Sequence, residues 1–440
     1  MAGAVPEPEP VRTGEYISWP QAAFIGVAAM VGAGIFSLLG AAGEVAGSAV
    51  WLSFVLAGII AGIQGYSFAK LGATFPSAAG LLEYVRQGFG DGHFTGITAW
   101  MTYSVNTIVT AMVAVSFGSY ASAMFTDDSA VWAKAFAALI VAVMVVVNVA
   151  GSTLVARAQS VIVFIVIGIL TLFAVVTITN MDPALLAPSG YPPFRDIFSS
   201  VALTFFAFLG FGIVTFTAKD LRTPRRELPR AMYLALGIAA VIYIAVSLGV
   251  FGTLTVDAVI ASGGTALAVA AEPSLGQAGY WLMSVTGLFA TAGATNGGLY
   301  PAAGLCEQLA ASRQFPPLMG RRLRKRVPVG LLITAAGAML LAVGFSLTAI
   351  ASIGSAAALL IFGMVTVGHL RVRSQTGARA AVLVLGVVTT GLAFLTFVFT
   401  TLITEPASAI TLVLILLLSA GLDVGWKRRR NQLESDGASG

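Results

Sequence analysis

The sequence predicts an all-α integral membrane protein of twelve transmembrane helices. Three observations lead there. Hydrophobic residues make up 58% of the 440 and charged residues only 10%, against roughly 25% charged in a soluble domain. Mean hydropathy is +0.92. The charged residues fall in short clusters, separated by apolar stretches of about 20 residues, the length that crosses a bilayer as a helix. This pattern excludes a soluble enzyme, a secreted disulfide scaffold and a nucleic-acid binder. The basic pI of 9.4 arises from residues lying between spans, not from a DNA-binding face. One cysteine, Cys306, rules out an internal disulfide, and two histidines, His93 and His369, cannot form a multi-His metal site. No cofactor motif is present.

The twelve expected spans are 18–39, 49–69, 94–125, 131–149, 158–178, 197–217, 232–254, 279–311, 327–347, 349–369, 378–402 and 406–426. Spans 3 and 8 are long enough to tilt or project. Spans 9 and 10 are divided only at Ser346 to Ala349, where the turn signal is slight. The basic residues set the orientation. Alternate segments, beginning with the N-tail and ending with the C-tail, carry 22 of the 24 Lys and Arg, and the opposite side carries only Lys134 and Arg195. The positive-inside rule then makes both termini cytoplasmic. The clusters at 321–326 and 427–430 are the strongest anchors and attract lipid headgroups. Residues 1–16, rich in Pro and Glu, read as a disordered tail without the basic start and early apolar core of a signal peptide.

Two spans carry the same interruption. Span 1 contains Gly32-Ala33-Gly34-Ile35-Phe36, and span 6 contains Gly210-Phe211-Gly212-Ile213, 178 residues later. Small residues also serve close helix packing in membranes. The matched pair has a functional reading as well. Each glycine weakens a helix by about 1 kcal/mol against alanine, so paired glycines are expected to unwind the span. Freed backbone groups at membrane depth need partners, which a polar substrate supplies. Interrupted helices in corresponding positions of two halves point to a transporter site. Five spans per half also invert the second copy.

Four segments resemble the amino acid–polyamine–organocation family of permeases. They are Val31-Gly32-Ala33-Gly34-Ile35-Phe36; Phe75-Pro76-Ser77-Ala78-Ala79-Gly80 with Tyr84 and Phe89-Gly90; Phe208-Leu209-Gly210-Phe211 leading to Asp220-Leu221-Arg222-Thr223-Pro224-Arg225-Arg226-Glu227-Leu228-Pro229; and Asn296 through Ser312-Arg313-Gln314-Phe315-Pro316. The resemblance implies the fold called LeuT-like. Its parts here would be a cytoplasmic N-tail (1–16), a first inverted repeat (17–180), a second (194–370), an added pair of helices (378–426) and a basic C-tail (427–440). It also implies alternating access around a midplane amino-acid site. By position, the N–H groups of Ala33 and Gly34 would bind the substrate carboxylate. The carbonyls of Met30, Phe206 and Leu209 would receive the ammonium, beside Gly32 and Gly210, and Phe206 would close over the substrate. Two departures stand out: Gly212 lies where many relatives carry Glu, and Thr223 replaces a common Asn.

Other polar residues admit more than one role. Asn106 and Thr110 share a face of span 3 and are expected either to line the pocket or to bond a neighbouring helix. Asp220 with Arg225 or Arg226, and Glu83 and Glu307, are candidates for a cytoplasmic gate. The expected coupling ion is proton or sodium, with exchange or facilitated transport as the alternative. Val166 stands where some proton-coupled relatives carry a lysine. Carbonyls of Ala28 and Val31 with hydroxyls of Thr291 and Thr295 offer part of a sodium site. The span interiors contain almost no ionisable groups, so the substrate is expected to be a neutral amino acid. A cationic amino acid or polyamine is the alternative. A polytopic enzyme or sensor would need paired acids, a nucleophile–base set or an output domain, and none is visible. No Walker-type phosphate loop is present.

Overall fold

The computed structural model describes residues 16–77, 80–126, 128–150, 153–324, 327–403 and 406–438. The N-tail before Tyr16, the motif residues Ala78 and Ala79, and Lys325 and Arg326 of the basic cluster lie outside the described residues. Sixteen helices follow in order: α1 Trp19–Ala33, α2 Ile35–Ala46, α3 Val50–Thr74, α4 Leu81–Phe89, α5 His93–Phe125, α6 Ala130–Ala150, α7 Thr153–Thr179, α8 Phe194–Ala207, α9 Phe211–Val214, α10 Pro224–Thr253, α11 Val256–Ser262, α12 Ala266–Ala311, α13 Val329–Gly344, α14 Leu347–Thr376, α15 Ala380–Phe397 and α16 Pro406–Ala438. One two-stranded ribbon pairs Arg322 with Pro328 and Leu323 with Val327.

Ten helical stretches are long and apolar enough to cross a membrane, and two shorter apolar helices, Trp19–Gly32 and Val329–Gly344, accompany them. The difference from the expected twelve has a geometric cause. The first span is cut into pieces of 15 and 12 residues, each shorter than the roughly 20 residues a crossing needs. Gly47, with φ 55°, ends the second piece before α3 begins, and the ninth expected span, α13, has only 16 residues.

Several boundaries moved for local reasons. Helix α10 starts at Pro224, not 232. Proline at the first helical position presets φ, and the Glu227 carboxylate accepts from the Thr223 N–H at 2.9 Å. Hydropathy missed this turn because it is arginine-rich. The division between spans 9 and 10 is real: Ser346 caps α14 by accepting from the Ala349 N–H at 3.2 Å. Helix α12 bends at Gly276, where φ is 66°, a left-handed conformation that favours glycine.

Burial separates inner from outer helices. Of the spanning windows, 78% of that in α14 is buried but only 17% of that in α6. The centre is therefore α1, α2, α8 and α14, flanked by α3, α5, α10 and the second half of α12. Polar side chains stitch it together. Ser53 Oγ donates to the Ile197 carbonyl at 2.8 Å, and Ser116 Oγ donates to Ser37 Oγ at 2.7 Å. Gln64, fully buried, donates to Thr390 Oγ1 at 2.6 Å and accepts from Thr366 Oγ1 at 2.5 Å, joining α3, α14 and α15. Such bonds satisfy groups that lipid cannot.

Candidate functional site

The two broken helices meet at their breaks. Gly34 separates α1 from α2, with φ −84° and ψ −67°, an ordinary right-handed conformation. Its glycine is required by space instead. A Cβ there would stand 2.6 Å from Ala207 Cβ and 2.8 Å from the Tyr243 hydroxyl. Ala207 is the last residue of α8. Gly210, in the turn after it, lies against the backbone of α1: a Cβ would come within 2.6 Å of Ala29 C and Met30 N. Gly32 faces α12, where a Cβ would meet Ala294 Cβ at 3.0 Å and the Ala290 carbonyl at 3.1 Å.

The second break is tightened rather than unwound, which corrects the expectation from its glycine pair. Between α8 and α9 the N–H groups of Leu209, Phe211, Gly212 and Ile213 each donate three residues back, at 3.0 to 3.2 Å. This is 3₁₀ bonding, and it keeps most backbone groups paired at membrane depth. At the first break the Gly34 N–H donates to the Met30 carbonyl at 3.0 Å. Gly34 is therefore not a free donor for a carboxylate. The next helical bond runs from Leu38 N to Gly34 O at 3.2 Å, so the open N–H groups of this end are those of the first turn of α2, from Ile35. No side chain caps it. Ala33 closes α1, and its side chain lies outside the described residues.

The contact between Gly34 and Ala207 thus juxtaposes the N-terminus of the 12-residue α2 with the C-terminus of the 14-residue α8. The first carries partial positive charge and the second partial negative charge. Met30 and Phe206 are buried beside them and Leu209 is half-buried. The Phe206 ring lies across α14: a Cβ on Gly354 would stand 2.7 Å from its Cε2 and Cζ, and 2.8 Å from Ile108 Cγ2. Phe206 therefore sits in a three-helix contact at the break.

Asn106 and Thr110 face α12. Asn106 Nδ2 donates to the Gly298 carbonyl at 2.9 Å, and Thr110 Oγ1, which donates to the Asn106 carbonyl, would lie 2.3 Å from a Cβ on Gly298. Asn106 thus makes a helix–helix bond, while Thr110 bonds back within α5 and packs against Gly298. Thr291 and Thr295 are buried and donate back to Gly287 and Thr291 carbonyls, at 2.6 and 2.8 Å. Ala28, Val31, Gly32, Val163, Val166 and Ala290 line an apolar cavity of about 20 Å³ between α1, α7 and α12. A cavity with that lining stays dry.

The expected gate residues do not gather at one point. Asp220, Arg225 and Arg226 are all exposed, and no ion pair joins Asp220 to either arginine among the described residues. Solvent surrounds all three, and Pro224 turns the chain between the two sides. Asp220 contributes its backbone instead, its carbonyl accepting from the Ile17 N–H at 3.0 Å and tying the start of α1 to the end of the α9 segment. Glu83 is engaged within α4, accepting two bonds from Arg86 at 3.0 Å. Glu307 accepts two from Arg322 at 2.6 and 3.0 Å. Both bidentate bonds raise the guanidinium above its ordinary value.

Sequence reasoning missed Tyr243. Its ring packs on Phe54 and Phe208, with centroids 5.3 and 5.1 Å away, and its hydroxyl donates to the Ala207 carbonyl at 3.1 Å. A lone tyrosine in an apolar span gave no signal. The reason for the glycine that ends the second motif became legible only here: Gly80 has φ 51°, and a Cβ would meet the Phe216 ring at 2.6 Å. Phe315 of the fourth motif stacks on Trp100 at 3.9 Å, fixing the loop after α12.

Comparison with known proteins fits this architecture. The family model described as amino acid permease matches residues 17–420. The inner membrane transport protein YbaT of Escherichia coli is 32% identical over 351 residues, covering 79% of this chain and 82% of that protein. The branched-chain amino acid permease BcaP of Lactococcus lactis is 25% identical over 383 residues, covering 80% and 81%. The vacuolar cationic amino acid transporter 2 of Arabidopsis thaliana is 28% identical over 385 residues, covering 80% of this chain and 59% of that one. With helices fit for many membrane crossings and a family match across nearly its whole length, this chain belongs to the amino acid permease family, as a multi-pass membrane transporter and not an enzyme.

Proposed function

We propose that the chain is a secondary transporter that moves a neutral amino acid across the cell membrane by alternating access, with both termini cytoplasmic. The observation that carries this reading is the meeting of two helix ends of opposite polarity at Gly34 and Ala207. An α-amino acid is a zwitterion, and its two charges lie one bond pair apart. The N–H groups opening α2 at Ile35 suit its carboxylate. The carbonyls of Phe206 and Leu209 at the end of α8, with that of Met30, suit its ammonium. Each charge then meets a matched dipole in a water-poor site, which lowers the cost of desolvating it.

The reading takes twelve crossings, with α1 joined to α2 and α8 joined to α9 as the broken first and sixth. Residues 17–180 and 194–370 form inverted repeats, and 378–426 lies outside the transport core. Neutrality rests on the surroundings. The residues packed at the breaks are Ala, Gly, Met, Phe, Ile and Tyr, which offer a cationic side chain no carboxylate. The names of the relatives include both branched-chain and cationic substrates, so a cationic amino acid is the competing outcome. Uptake of radiolabelled leucine, alanine, phenylalanine, arginine and putrescine into proteoliposomes tests the proposal. Saturable uptake of a neutral amino acid supports it. Uptake of arginine or putrescine alone would overturn neutrality, and uptake of none would overturn the transporter reading for amino acids.

A further inference from the structure

The 3₁₀ turn after α8 leaves one carbonyl without its helical donor. In an unbroken helix the Ala207 carbonyl would accept from Phe211, but the Phe211 N–H donates to Phe208 at 3.0 Å. Among the described residues no backbone N–H reaches Ala207 O. An unpaired carbonyl at this depth is costly. Tyr243, from α10, supplies the donor at 3.1 Å and is itself fully buried. The same hydroxyl lies 2.8 Å from where a Cβ of Gly34 would be. One phenol therefore touches both breaks, while Phe54 and Phe208 fix its ring from two sides.

We infer that Tyr243 is a positioning residue of the substrate site: its hydroxyl occupies the Ala207 carbonyl, the one acceptor the 3₁₀ turn leaves unpaired, so that the substrate ammonium meets the Phe206 carbonyl and not that of Ala207. The inference rests on the amino-acid site proposed above. Without the hydroxyl, the Ala207 carbonyl must find another donor. The available one is the ammonium of the substrate, which then docks displaced from the Phe206 carbonyl.

Tyr243→Phe removes the hydroxyl and keeps the ring. Its uptake is compared with wild type in proteoliposomes, using whichever of leucine, alanine, phenylalanine and arginine wild type transports best, and the N-methyl derivative of the same amino acid. The expected result is a rise in KM of about tenfold with maximal rate changed less than about twofold, and a preference for the primary over the N-methylated amine that shrinks by about threefold or more. Loss of packing alone would lower the amount of folded protein and leave the ratio between the two substrates unchanged. Wild-type KM and ratio in Tyr243→Phe would overturn the role of Tyr243 while leaving the site standing. No uptake by wild type of any of the four would overturn both. If Tyr243→Phe does not fold, 3-fluorotyrosine at position 243 decides, since it sharpens the acidity of the same hydroxyl without altering the packing. A shifted substrate ratio supports the role, and an unchanged one contradicts it.

Discussion

Gly34 and Ala207 stand in backbone contact: a Cβ on Gly34 would lie 2.9 Å from the Ala207 Cα and 2.6 Å from its Cβ. Through this contact the end that opens α2 and the end that closes α8 share one locus. Neither residue carries a functional group. The proposed site is made of backbone, which is why it leaves so little trace in side-chain chemistry.

Substitution at Gly34 is the first test of that locus. Gly34→Val has no room for its side chain and should abolish substrate binding while the protein still inserts. Gly34→Ala should already weaken uptake by about tenfold or more, since its only added atom overlaps Ala207 and Tyr243. Gly210→Val and Gly32→Val should behave similarly. Uptake at wild-type level in Gly34→Val, with normal membrane yield, would remove the proposed site.

The Gln64 cluster should affect stability and spare recognition. Gln64→Ala leaves Thr366, Thr390 and the Gly386 carbonyl short of partners. A loss of about 2 kcal/mol is expected from the unmet groups. It is read as a lower melting temperature in detergent with KM for substrate unchanged. A KM shift of tenfold would place Gln64 in the transport path instead.

The C-terminal half of α16 is held by a buried acid. Asp423 is fully buried, with Lys427 Nζ at 3.0 Å and His93 Nδ1 at 2.6 Å. Removing it strands a buried ammonium beside Gly96, whose missing Cβ makes the room. Asp423→Ala should cost roughly 3–5 kcal/mol, and Asp423→Ala with Lys427→Leu should recover part of it. Equal melting temperatures for the two variants would show that the pair is not coupled.

Coupling is tested at Val166. No titratable group of α7 borders α1 in the apolar cavity, so any proton dependence should come from Glu83, Asp220 or Glu307. Uptake is measured under imposed proton and sodium gradients, separately, in wild type and in the triple variant of those carboxylates to amides. A strong proton requirement that survives the triple variant would defeat this account. Val166→Lys should reduce folded yield, because its ammonium would enter a dry cavity of about 20 Å³.

The order of helices was legible in the sequence because hydropathy and turn chemistry report on length, and length is fixed by the bilayer. The two breaks were legible as Gly-x-Gly-Ile pairs. What the glycines do was not. Gly34 has ordinary dihedrals, and its need for space comes from Ala207 and Tyr243, more than 170 residues away in sequence. Ser346 is a slight turn signal in the sequence, yet it caps α14. Asp220 and Arg225 are near neighbours in sequence, but Pro224 and solvent keep them from pairing. The Asp423–Lys427 pair is a helical i, i+4 spacing and was open to inspection; its burial against Gly96 was not.

The central claim is that one site recognises both charges of an amino acid, each by a helix end. The direct measurement is competition against radiolabelled leucine uptake in proteoliposomes by three compounds of the same carbon skeleton: leucine, isoamylamine, which lacks the carboxylate, and 4-methylpentanoate, which lacks the ammonium. The account predicts that leucine competes and that each truncated compound is weaker by about a hundredfold or more, since an unmatched helix end loses its charged partner. Competition by either truncated compound at the strength of leucine would contradict it.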